Sequence, residues 1–253
     1  MGILTFKGGV HPYDGKELSK NSPVVKYLPK GDMVYPLSQH IGAPAAAIVQ
    51  KGDHVLAGQK IADAAGFVSS PIHSSVSGTV KGIEPRLTAT GSMVNSIIIE
   101  NDQQYESVEF TPARLEDLSK EEILARIKEG GVVGMGGAGF PTGVKLGTDL
   151  QGGYILVNAA ECEPGLRHNI QQLEDDCAKV IRGVKHCMEI SNASKAIFAI
   201  KKKNEKAVNA LREALKDEEA ITIHLLPDIY PMGEERAVVR ECLGVELGVD
   251  QLS

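Results

Sequence analysis

The sequence predicts an α/β fold, with a mostly parallel sheet covered by helices on both faces, preceded by a small all-β domain. Short apolar segments separated by turn residues run through residues 33–100, a pattern typical of a small sandwich or barrel. From residue 118 onwards, strand-like and helix-like segments alternate, which indicates a parallel sheet. Near the start of this second pattern, residues 130–145 contain seven glycines, and they form the first candidate ligand site.

Composition and charge argue against nucleic-acid binding and against a membrane span. The chain has 253 residues, a formal net charge of −6 and a sequence pI near 5.7, and its size suits one large or two modest domains. Its lysines are spread out except at 201–203, which we interpret as a solvated loop edge. The longest apolar runs fall short of the roughly 20 residues that cross a bilayer, and no signal peptide is evident. We expect a cytoplasmic protein.

The four cysteines form neither a C-x-x-C pair nor the spacing of a zinc or iron–sulfur site. This usage suits a reducing compartment. Cys177, Cys187 and Cys242 fall on helix-like segments, where we expect them to act as small apolar residues. We therefore predict no metal site in this chain, and any metal centre must come from elsewhere.

The predicted domain order is an irregular N-terminal arm at 1–30, a β domain at 31–102, a polar linker at 103–117 and the α/β domain at 118–253. The arm is assigned from its turn formers and its lack of apolar periodicity. Ser119 and Glu122 stand three residues apart before an apolar pattern, which predicts a capping box at the start of the first helix.

The β domain carries two short signatures. Residues 52–61 read G-D-x-V-x-x-G-Q-x-I and residues 77–80 read S-G-x-V, and both resemble the biotinyl/lipoyl barrel-sandwich hybrid. In that family the carrier role depends on a lysine at the hairpin tip between the two halves. The corresponding stretch here, residues 66–73, has no lysine, so we predict a domain of this shape that carries no prosthetic group.

The α/β domain shows three strand-like segments, each followed by a helix-like segment with apolar residues at helical spacing. Ligands of such sheets bind beyond the carboxyl ends of the strands, so the turns after the strands are candidate site residues. The predicted strands are 154–157, 196–200 and 220–226, and the predicted helices are about 169–190, 205–216 and 234–243.

The glycine-rich segment, residues 130–145, offers bare backbone N–H groups and one cation, Lys145, with no acidic residue. This is the chemistry of a phosphate or flavin cradle. The alternative is a mobile surface loop. Val132 and Val133, which we interpret as a short buried strand, and Pro141, which restricts the exit, favour the cradle.

Two further turns carry candidate site residues. Residues 158–165 read N-A-A-E-C-E-P-G and follow the strand at 154–157; residues 230–235 read Y-P-M-G-E-E. Glu161, Glu163, Glu234 and Glu235 would be costly to hold around one pocket unless a ligand required them. We therefore expect all three turns to converge at one edge of the sheet.

The three motifs in order, G-x-G-G-A-G-F-P-T-G-x-K, N-A-x-E-x-E-P-G and Y-x-x-G-E-E, resemble the flavin-binding fold of the 51-kDa NADH-oxidising subunit of respiratory complex I. Together with the preceding β domain, nearly the whole chain is similar to the RnfC family. Members of that family are subunits of the Rnf complex, which is an ion-pumping ferredoxin:NAD oxidoreductase. The resemblance implies an enzyme subunit that exchanges hydride between NADH and FMN, then passes single electrons to iron–sulfur centres.

The resemblance also implies the cofactors FMN and NAD(H), other subunits of a membrane-bound complex and ferredoxin-like carriers as partners, and a peripheral position on the cytoplasmic face of the membrane. It implies a catalytic role on the NADH side for Glu163 and Glu235, and stacking of Phe140 on the adenine. The remaining implied cofactor-binding residues are Gly134, Gly136, Gly137, Gly139, Lys145, Asn158, Glu161, Tyr230, Gly233 and Glu234.

This sequence departs from the family pattern at two positions and at its end. Met135 and Ala160 stand where complex I has Arg and Asp, which weakens the expected polar contacts to flavin. The resemblance predicts a further turn for the FMN phosphate, a β-grasp-like domain and cysteine-rich ferredoxin motifs beyond Ser253. We therefore expect the isolated chain to bind FMN weakly or not at all, and to be inactive alone.

Two other functions fit the same residues. The chain could be a non-catalytic scaffold or docking subunit, which would not bind flavin. It could also be a soluble relative of the RnfC family that delivers electrons to an amino-acid reductase. The residues themselves do not separate this last alternative from a subunit of the membrane complex.

Overall fold

The computed structural model describes residues 9–114, 117–135, 137–248 and 250–251. Its contacts divide the chain into two compact units. The β-rich unit comprises residues 25–148, and the α/β unit comprises residues 149–253 together with residues up to 24, where described. Residues 118–148, which the sequence placed in the α/β domain, thus pack with the β-rich unit. The family-based domain limits stay a prediction.

The strands of the β-rich unit are β1 Met33–Pro36, β2 Ala46–Ala47, β3 His54–Val55, β4 Lys60–Asp63, β5 Ile72–His73, β6 Gly78–Leu87 and β7 Met93–Asn101. They form two small antiparallel sheets, with strand orders β1-β7-β6-β3 and β2-β4-β5. Val55, Ile61, Ile97 and Ile99 are completely buried and belong to one apolar cluster of this unit.

Two helices follow in this unit, α1 Lys120–Glu129 and α2 Thr142–Lys145. The predicted capping box is confirmed at α1. The Ser119 hydroxyl accepts a hydrogen bond from the Glu122 N–H at 3.2 Å, and the Glu122 carboxylate accepts one from the Ser119 N–H at 2.7 Å. Two of the N–H groups that every helix leaves unpaired at its start are therefore satisfied locally.

The α/β unit contains a parallel sheet of strand order β10-β9-β8, with β8 at Tyr154–Ala159, β9 at Lys195–Lys201 and β10 at Ile221–Leu226. Ile200 of β9 packs towards α3 and α4, whereas the adjacent Ala199 belongs to the opposite cluster, which includes Val238 of α5. Helices therefore cover both faces, as predicted. Their bounds are α3 His168–Ser191, α4 Glu205–Ala214 and α5 Glu235–Leu243.

Parallel strands end at the same edge of a sheet, so the turns after β8, β9 and β10 lie side by side. Asn158 lies near the end of β8 and Glu161 lies in the turn that follows. Lys201 is the last residue of β9, and the turn after β10 leads through Tyr230 to α5. Among the described residues, no helix is long and apolar enough to cross a membrane.

Candidate functional site

Two of the three predicted turns meet at the carboxyl edge of the parallel sheet. The Asn158 side-chain amide donates a hydrogen bond to the Gly233 carbonyl at 2.8 Å, and the Gly233 N–H donates one to the Cys162 sulfur at 3.1 Å. The Asn158 amide oxygen also accepts a hydrogen bond from the Ala160 N–H at 3.2 Å. The turn after β8 and the turn before α5 therefore form one connected structure.

Met232 anchors the turn before α5. Its side chain is completely buried and belongs to a cluster with Ala160, Leu226 and Val238. The neighbouring Tyr230 remains 36% exposed, so the turn holds one apolar side chain in the core and presents an aromatic ring at the surface. A turn anchored in this way can hold Gly233 and Glu234 in a fixed position beside the strand ends.

Helix N-termini bind two of the four clustered glutamates. The Glu161 carboxylate accepts hydrogen bonds from the Asn169 N–H at 2.9 Å and the Ile170 N–H at 3.1 Å, at the start of α3, and its side chain is 3% exposed. The Glu234 carboxylate accepts one from the Ala237 N–H of α5 at 2.9 Å. Because these N–H groups and the helix dipole stabilise carboxylates, the glutamate cluster does not by itself require a ligand, contrary to the sequence argument.

The two predicted catalytic residues are both exposed at this edge. Glu163 lies in the turn after β8, where its backbone carbonyl accepts a hydrogen bond from the Lys16 ammonium at 2.8 Å. Glu235 is the first residue of α5. Their catalytic roles stay a prediction.

The glycine-rich segment belongs to the β-rich unit. It closes as a loop, because Val133 and Pro141 form an isolated antiparallel bridge and the Gly134 N–H donates to the Phe140 carbonyl at 2.9 Å. Val132 is 49% exposed and Val133 makes only this bridge. The predicted buried strand at these two valines is therefore wrong: they form the base of a surface loop.

Part of the glycine content is explained by packing within the β-rich unit. Gly139 has φ of +66°, and a Cβ there would lie 2.9 Å from the Gln39 carbonyl oxygen. The adjacent Ala138 carbonyl accepts a hydrogen bond from the Ile41 N–H at 2.9 Å. Only glycine combines this φ with so close an approach, so Gly139 is needed to seat the loop on residues 39–41. Its predicted contact with a cofactor stays a prediction.

Other members of the segment face solvent. Gly134 and Gly137 are exposed, and a Cβ at Gly137 would meet no atom within 4 Å. Met135 is 96% exposed and Phe140 is 40% exposed. Bare backbone flanked by an exposed ring is a surface on which a planar ligand can lie flat. Gly136 lies outside the described residues.

Lys145, the last residue of α2, is exposed. Within the part of the chain that the structure describes, its ammonium takes part in no hydrogen bond or ion pair. An unpaired cation next to exposed backbone suits an anionic ligand. The convergence of this segment with the two turns of the α/β unit stays a prediction, because the segment belongs to the other compact unit.

The carboxyl edge also carries an ion-pair cluster that the sequence analysis missed. Asp228 lies 3.4 Å from the Lys201 ammonium and 3.1 Å from that of Lys203, and Lys203 also reaches Asp14 at 3.3 Å. Lys201 is only 5% exposed, so the interpretation of residues 201–203 as a solvated loop edge is wrong for this residue. Its position directly after the predicted apolar strand 196–200 was the signal that could have placed it at the carboxyl edge of the sheet, where ligands bind.

These pairs shift the pKa values of their members in opposite directions. Burial favours the neutral form of Asp228, but the hydrogen bond and charge of Lys203 outweigh it, so the pKa of Asp228 lies below its usual value. Burial likewise opposes charge on Lys203, yet Asp228 and Asp14 hold the pKa of Lys203 above its usual value. Asp228 and Lys203 are therefore both charged at neutral pH.

Two cavities open along this edge within the α/β unit. A cleft of about 560 Å³ lies beside the first turns of α3 and α4 and is lined by Glu161, Arg167 and Lys206, among others. A smaller cavity of about 110 Å³ touches Cys162 and Tyr230. The larger cleft has the size of a small-molecule site, and it lies at the strand ends, where ligands of parallel sheets bind.

The described residues contain no group of histidine, cysteine and acidic side chains that could hold a metal ion. Cys162, Cys177, Cys187 and Cys242 are free thiols. Burial, assisted by the nearby charge of Glu241, raises the pKa of Cys242 to about 11, so this thiol is protonated and unreactive at neutral pH.

Comparison with protein families assigns both parts of the chain. Residues 4–104 match the RnfC barrel sandwich hybrid domain, and residues 127–252 match the Nuo51 FMN-binding domain. Fold and site thus define a protein in which a barrel sandwich hybrid domain precedes an α/β domain of the Nuo51 FMN-binding type. The chain belongs to the RnfC family, and the family predicted from the three motifs is confirmed.

Individual relatives agree with this assignment. The chain is 38% identical over 250 residues to a subunit of the proton-translocating ferredoxin:NAD(+) oxidoreductase complex of Clostridium ljungdahlii, covering 97% of this chain and 54% of that relative. It is 36% identical over 249 residues to the corresponding subunit of the Na(+)-translocating complex of Acetobacterium woodii, covering 96% of this chain and 56% of that relative. The chain therefore spans about half the length of these curated relatives.

Proposed function

We propose that this chain forms the FMN- and NADH-binding part of an electron-transfer subunit in a ferredoxin:NAD oxidoreductase complex. The observation that carries the proposal is the hydrogen-bonded pair of turns, joined through Asn158, Cys162 and Gly233, at the carboxyl edge of a parallel sheet. Residues 127–252, which include both turns, match the Nuo51 FMN-binding domain. Ligand sites of parallel sheets lie at this edge.

The residues assigned to the flavin are those of the three motifs. In the α/β unit, the flavin contacts are assigned to Asn158, Tyr230, Gly233 and Glu234. Glu161 supports the joined turns by fixing the start of α3. In the β-rich unit, the remaining flavin contacts are assigned to Gly134, Gly136, Gly137, Gly139 and Lys145. These residues would hold FMN, whose chemistry would connect two-electron hydride exchange with NADH to one-electron transfer to an iron–sulfur acceptor.

The described residues fit such a group in two respects. The exposed backbone of Gly134 and Gly137 leaves open the space in which a ring could lie. The unpaired ammonium of Lys145 would offset the negative charge of a phosphate or of reduced flavin. Both features are available without moving a packed side chain.

Two departures from the complex I pattern predict modest affinity. Ala160 is 1% exposed and apolar, and it belongs to the cluster that buries Met232. Met135 is 96% exposed and also apolar. Neither side chain can hydrogen-bond to flavin as the Asp and Arg of complex I can, which fits the expectation that this chain alone binds FMN weakly or not at all.

The NADH side is assigned to Phe140, Glu163 and Glu235. Phe140 exposes its ring beside the glycine loop, where it could stack on a nucleotide base. Glu163 and Glu235 are exposed carboxylates that could accept hydrogen bonds from ribose or carboxamide groups. They would position nicotinamide for hydride transfer rather than exchange protons themselves.

The electron acceptors and the membrane contact would come from outside the described chain. The described residues offer no metal-binding group, so iron–sulfur centres are assigned to other protein segments or subunits. Both relatives named above are subunits of ion-translocating complexes, which supports peripheral attachment at the cytoplasmic face of the membrane. Ferredoxin-like carriers are the proposed redox partners.

A fluorescence titration tests this function. FMN at fixed concentration is titrated with this chain, with the full-length relative from Acetobacterium woodii as the reference, and NADH is then added without oxygen. The proposal predicts weak but saturable quenching of flavin fluorescence by this chain. A scaffold would quench no flavin at any protein concentration, and that result, with quenching by the reference, would overturn the proposal.

A further inference from the structure

Residues 9–18, named here the N-terminal strap, lie across the strand ends of the α/β unit. We infer that the strap holds the turn after β8 and the turn before α5 in their binding geometry, with Lys16 as a positioning residue for the flavin and nicotinamide. The inference rests on the proposed function and deepens it, because it assigns the shape of the site to a segment far away in sequence.

The first attachment is to the turn before α5. Val10 and Tyr230 form a two-way antiparallel bridge, in which each N–H donates to the other residue's carbonyl at 3.0 Å. The strap approaches this turn closely at Gly9, where a Cβ would lie 1.8 Å from a methyl carbon of Ile229. A side chain at residue 9 would collide with that methyl carbon, so glycine permits the approach. The bridge fixes the backbone of Tyr230, which is assigned to the flavin.

The second attachment is to the turn after β8. The Lys16 ammonium donates hydrogen bonds to the carbonyls of Glu163, at 2.8 Å, and Leu166. The Asp14 carbonyl accepts one from the Gly165 N–H at 2.6 Å. This stretch has no regular secondary structure, so these bonds supply the backbone partners that a helix or strand would otherwise provide.

A third attachment ties the strap to the two other strand ends. The Asp14 carboxylate pairs with Lys203, which pairs in turn with Asp228. Lys203 follows β9 and Asp228 follows β10. Directly or through Lys203, the strap therefore contacts residues that follow each strand of the parallel sheet in the described residues.

Lys16 is the strap residue whose side chain holds the turn after β8. A single charged donor binds two carbonyls in the turn that carries the predicted catalytic Glu163, and hydrogen bonds from charged donors are stronger than neutral ones. Removing the ammonium leaves those carbonyls free to turn towards water. The backbone of Glu163 would then lose its fixed position, while the buried cap made by Glu161 remains in place.

The test compares Lys16→Met with Lys16→Arg and with a matched control, Lys20→Met. Lys20 belongs to the same part of the chain, and its ammonium makes no hydrogen bond or ion pair among the described residues. Amide hydrogen exchange of residues 160–167, read by mass spectrometry without flavin, reports whether the turn is held. Fluorescence titration of each variant reports FMN affinity.

We expect faster exchange in residues 160–167 and roughly tenfold weaker FMN binding for Lys16→Met, because both hydrogen bonds from the charged donor are lost. Lys16→Arg should recover part of the affinity because it keeps a charged donor, and Lys20→Met should match the wild type in both measurements. Unchanged exchange in Lys16→Met would overturn the inference. Faster exchange with unchanged FMN affinity would also overturn it, since the strap would then be structural only.

These outcomes are distinct from failure of the proposed function. If the wild-type chain quenches flavin and Lys16→Met binds it equally well, the proposed function stands and the inference fails. If the wild-type chain does not bind flavin at all while the reference protein does, the proposed function fails, and the assignment of Lys16 to that site fails with it, whatever the exchange of residues 160–167 shows.

Discussion

Glu161 belongs to a flavin-site motif and also caps a helix. The motif resemblance assigns it to FMN, whereas the structure shows its carboxylate bound by two N–H groups at the start of α3. Sequence reasoning could not find this role, because the capped helix begins seven residues further on at His168, outside the spacing of a local capping box.

The Glu161→Ala variant should lower the free energy of unfolding by about 1 to 2 kcal/mol, because two N–H groups of α3 lose a charged acceptor. Urea denaturation followed by circular dichroism measures this change. Glu163→Ala is the matched control: its side chain is exposed in the same turn, so its effect should stay within about 0.5 kcal/mol. Equal effects for both variants would contradict the capping role.

In the glycine-rich segment, some glycines are required by packing and others are not, and the sequence could not distinguish the two kinds. Its density predicted a flavin cradle, yet Gly139 is required by its approach to the Gln39 carbonyl. Gly137 has no such neighbour. Both glycines look alike in the sequence, since a requirement set by a contact one hundred residues away leaves no local pattern.

Alanine substitutions at these two glycines should therefore act differently. Gly139→Ala should destabilise the protein by more than about 1 kcal/mol, because alanine is strained at positive φ and meets a carbonyl oxygen. Gly137→Ala should leave stability within about 0.5 kcal/mol and weaken FMN binding, because the new methyl group occupies the flavin face. Thermal unfolding and flavin titration of both variants measure this difference. If Gly137→Ala binds FMN as the wild type does, the cradle is wrongly placed.

The helices could be predicted from the sequence, whereas the contacts of the segment without regular secondary structure could not. The helices α3 and α5 lie within one residue of their predicted limits, because apolar periodicity and turn residues mark them locally. The strap was predicted only as an irregular arm. Its order comes from bonds to Glu163, Gly165 and Tyr230, which are contacts over about 150 residues or more that no periodicity reveals.

The ion pairs of Asp14 and Asp228 should make the free energy of unfolding decrease at acid pH. The pKa values of Asp228 and Asp14 both lie below their usual value of 3.8, because their lysine partners outweigh burial. A depressed folded pKa means that the stabilisation is complete above the usual value and is lost as the pH falls through the folded value. Asp228 is half-exposed, so the contribution should not exceed about 1 kcal/mol.

We expect the melting temperature of the wild type to fall more steeply below about pH 4 than that of Asp228→Asn, which has no charge to lose. Differential scanning fluorimetry over a pH series measures both slopes. At neutral pH, the variant should melt at a lower temperature than the wild type. Parallel curves over the whole series would show that this carboxylate contributes nothing to folding.

At the scale of the molecule, the order of β and α/β domains followed from the sequence because each has its own periodicity. The grouping of residues 118–148 with the β-rich unit did not. The contact of Gly139 with Gln39, and that of Gly131 with Pro71, attach the glycine-rich segment to the β domain. The glycine-rich segment and the two joined turns therefore belong to different compact units, and their convergence on one flavin stays a prediction.

Crystals of this chain soaked with FMN would show whether the three motifs bind one ligand. We predict one flavin within hydrogen-bonding distance of both Lys145 and Asn158, with its ring against the backbone of Gly134 and Gly137. A flavin bound to only one of these groups, or a structure that places Lys145 and Asn158 on unrelated faces, would contradict it.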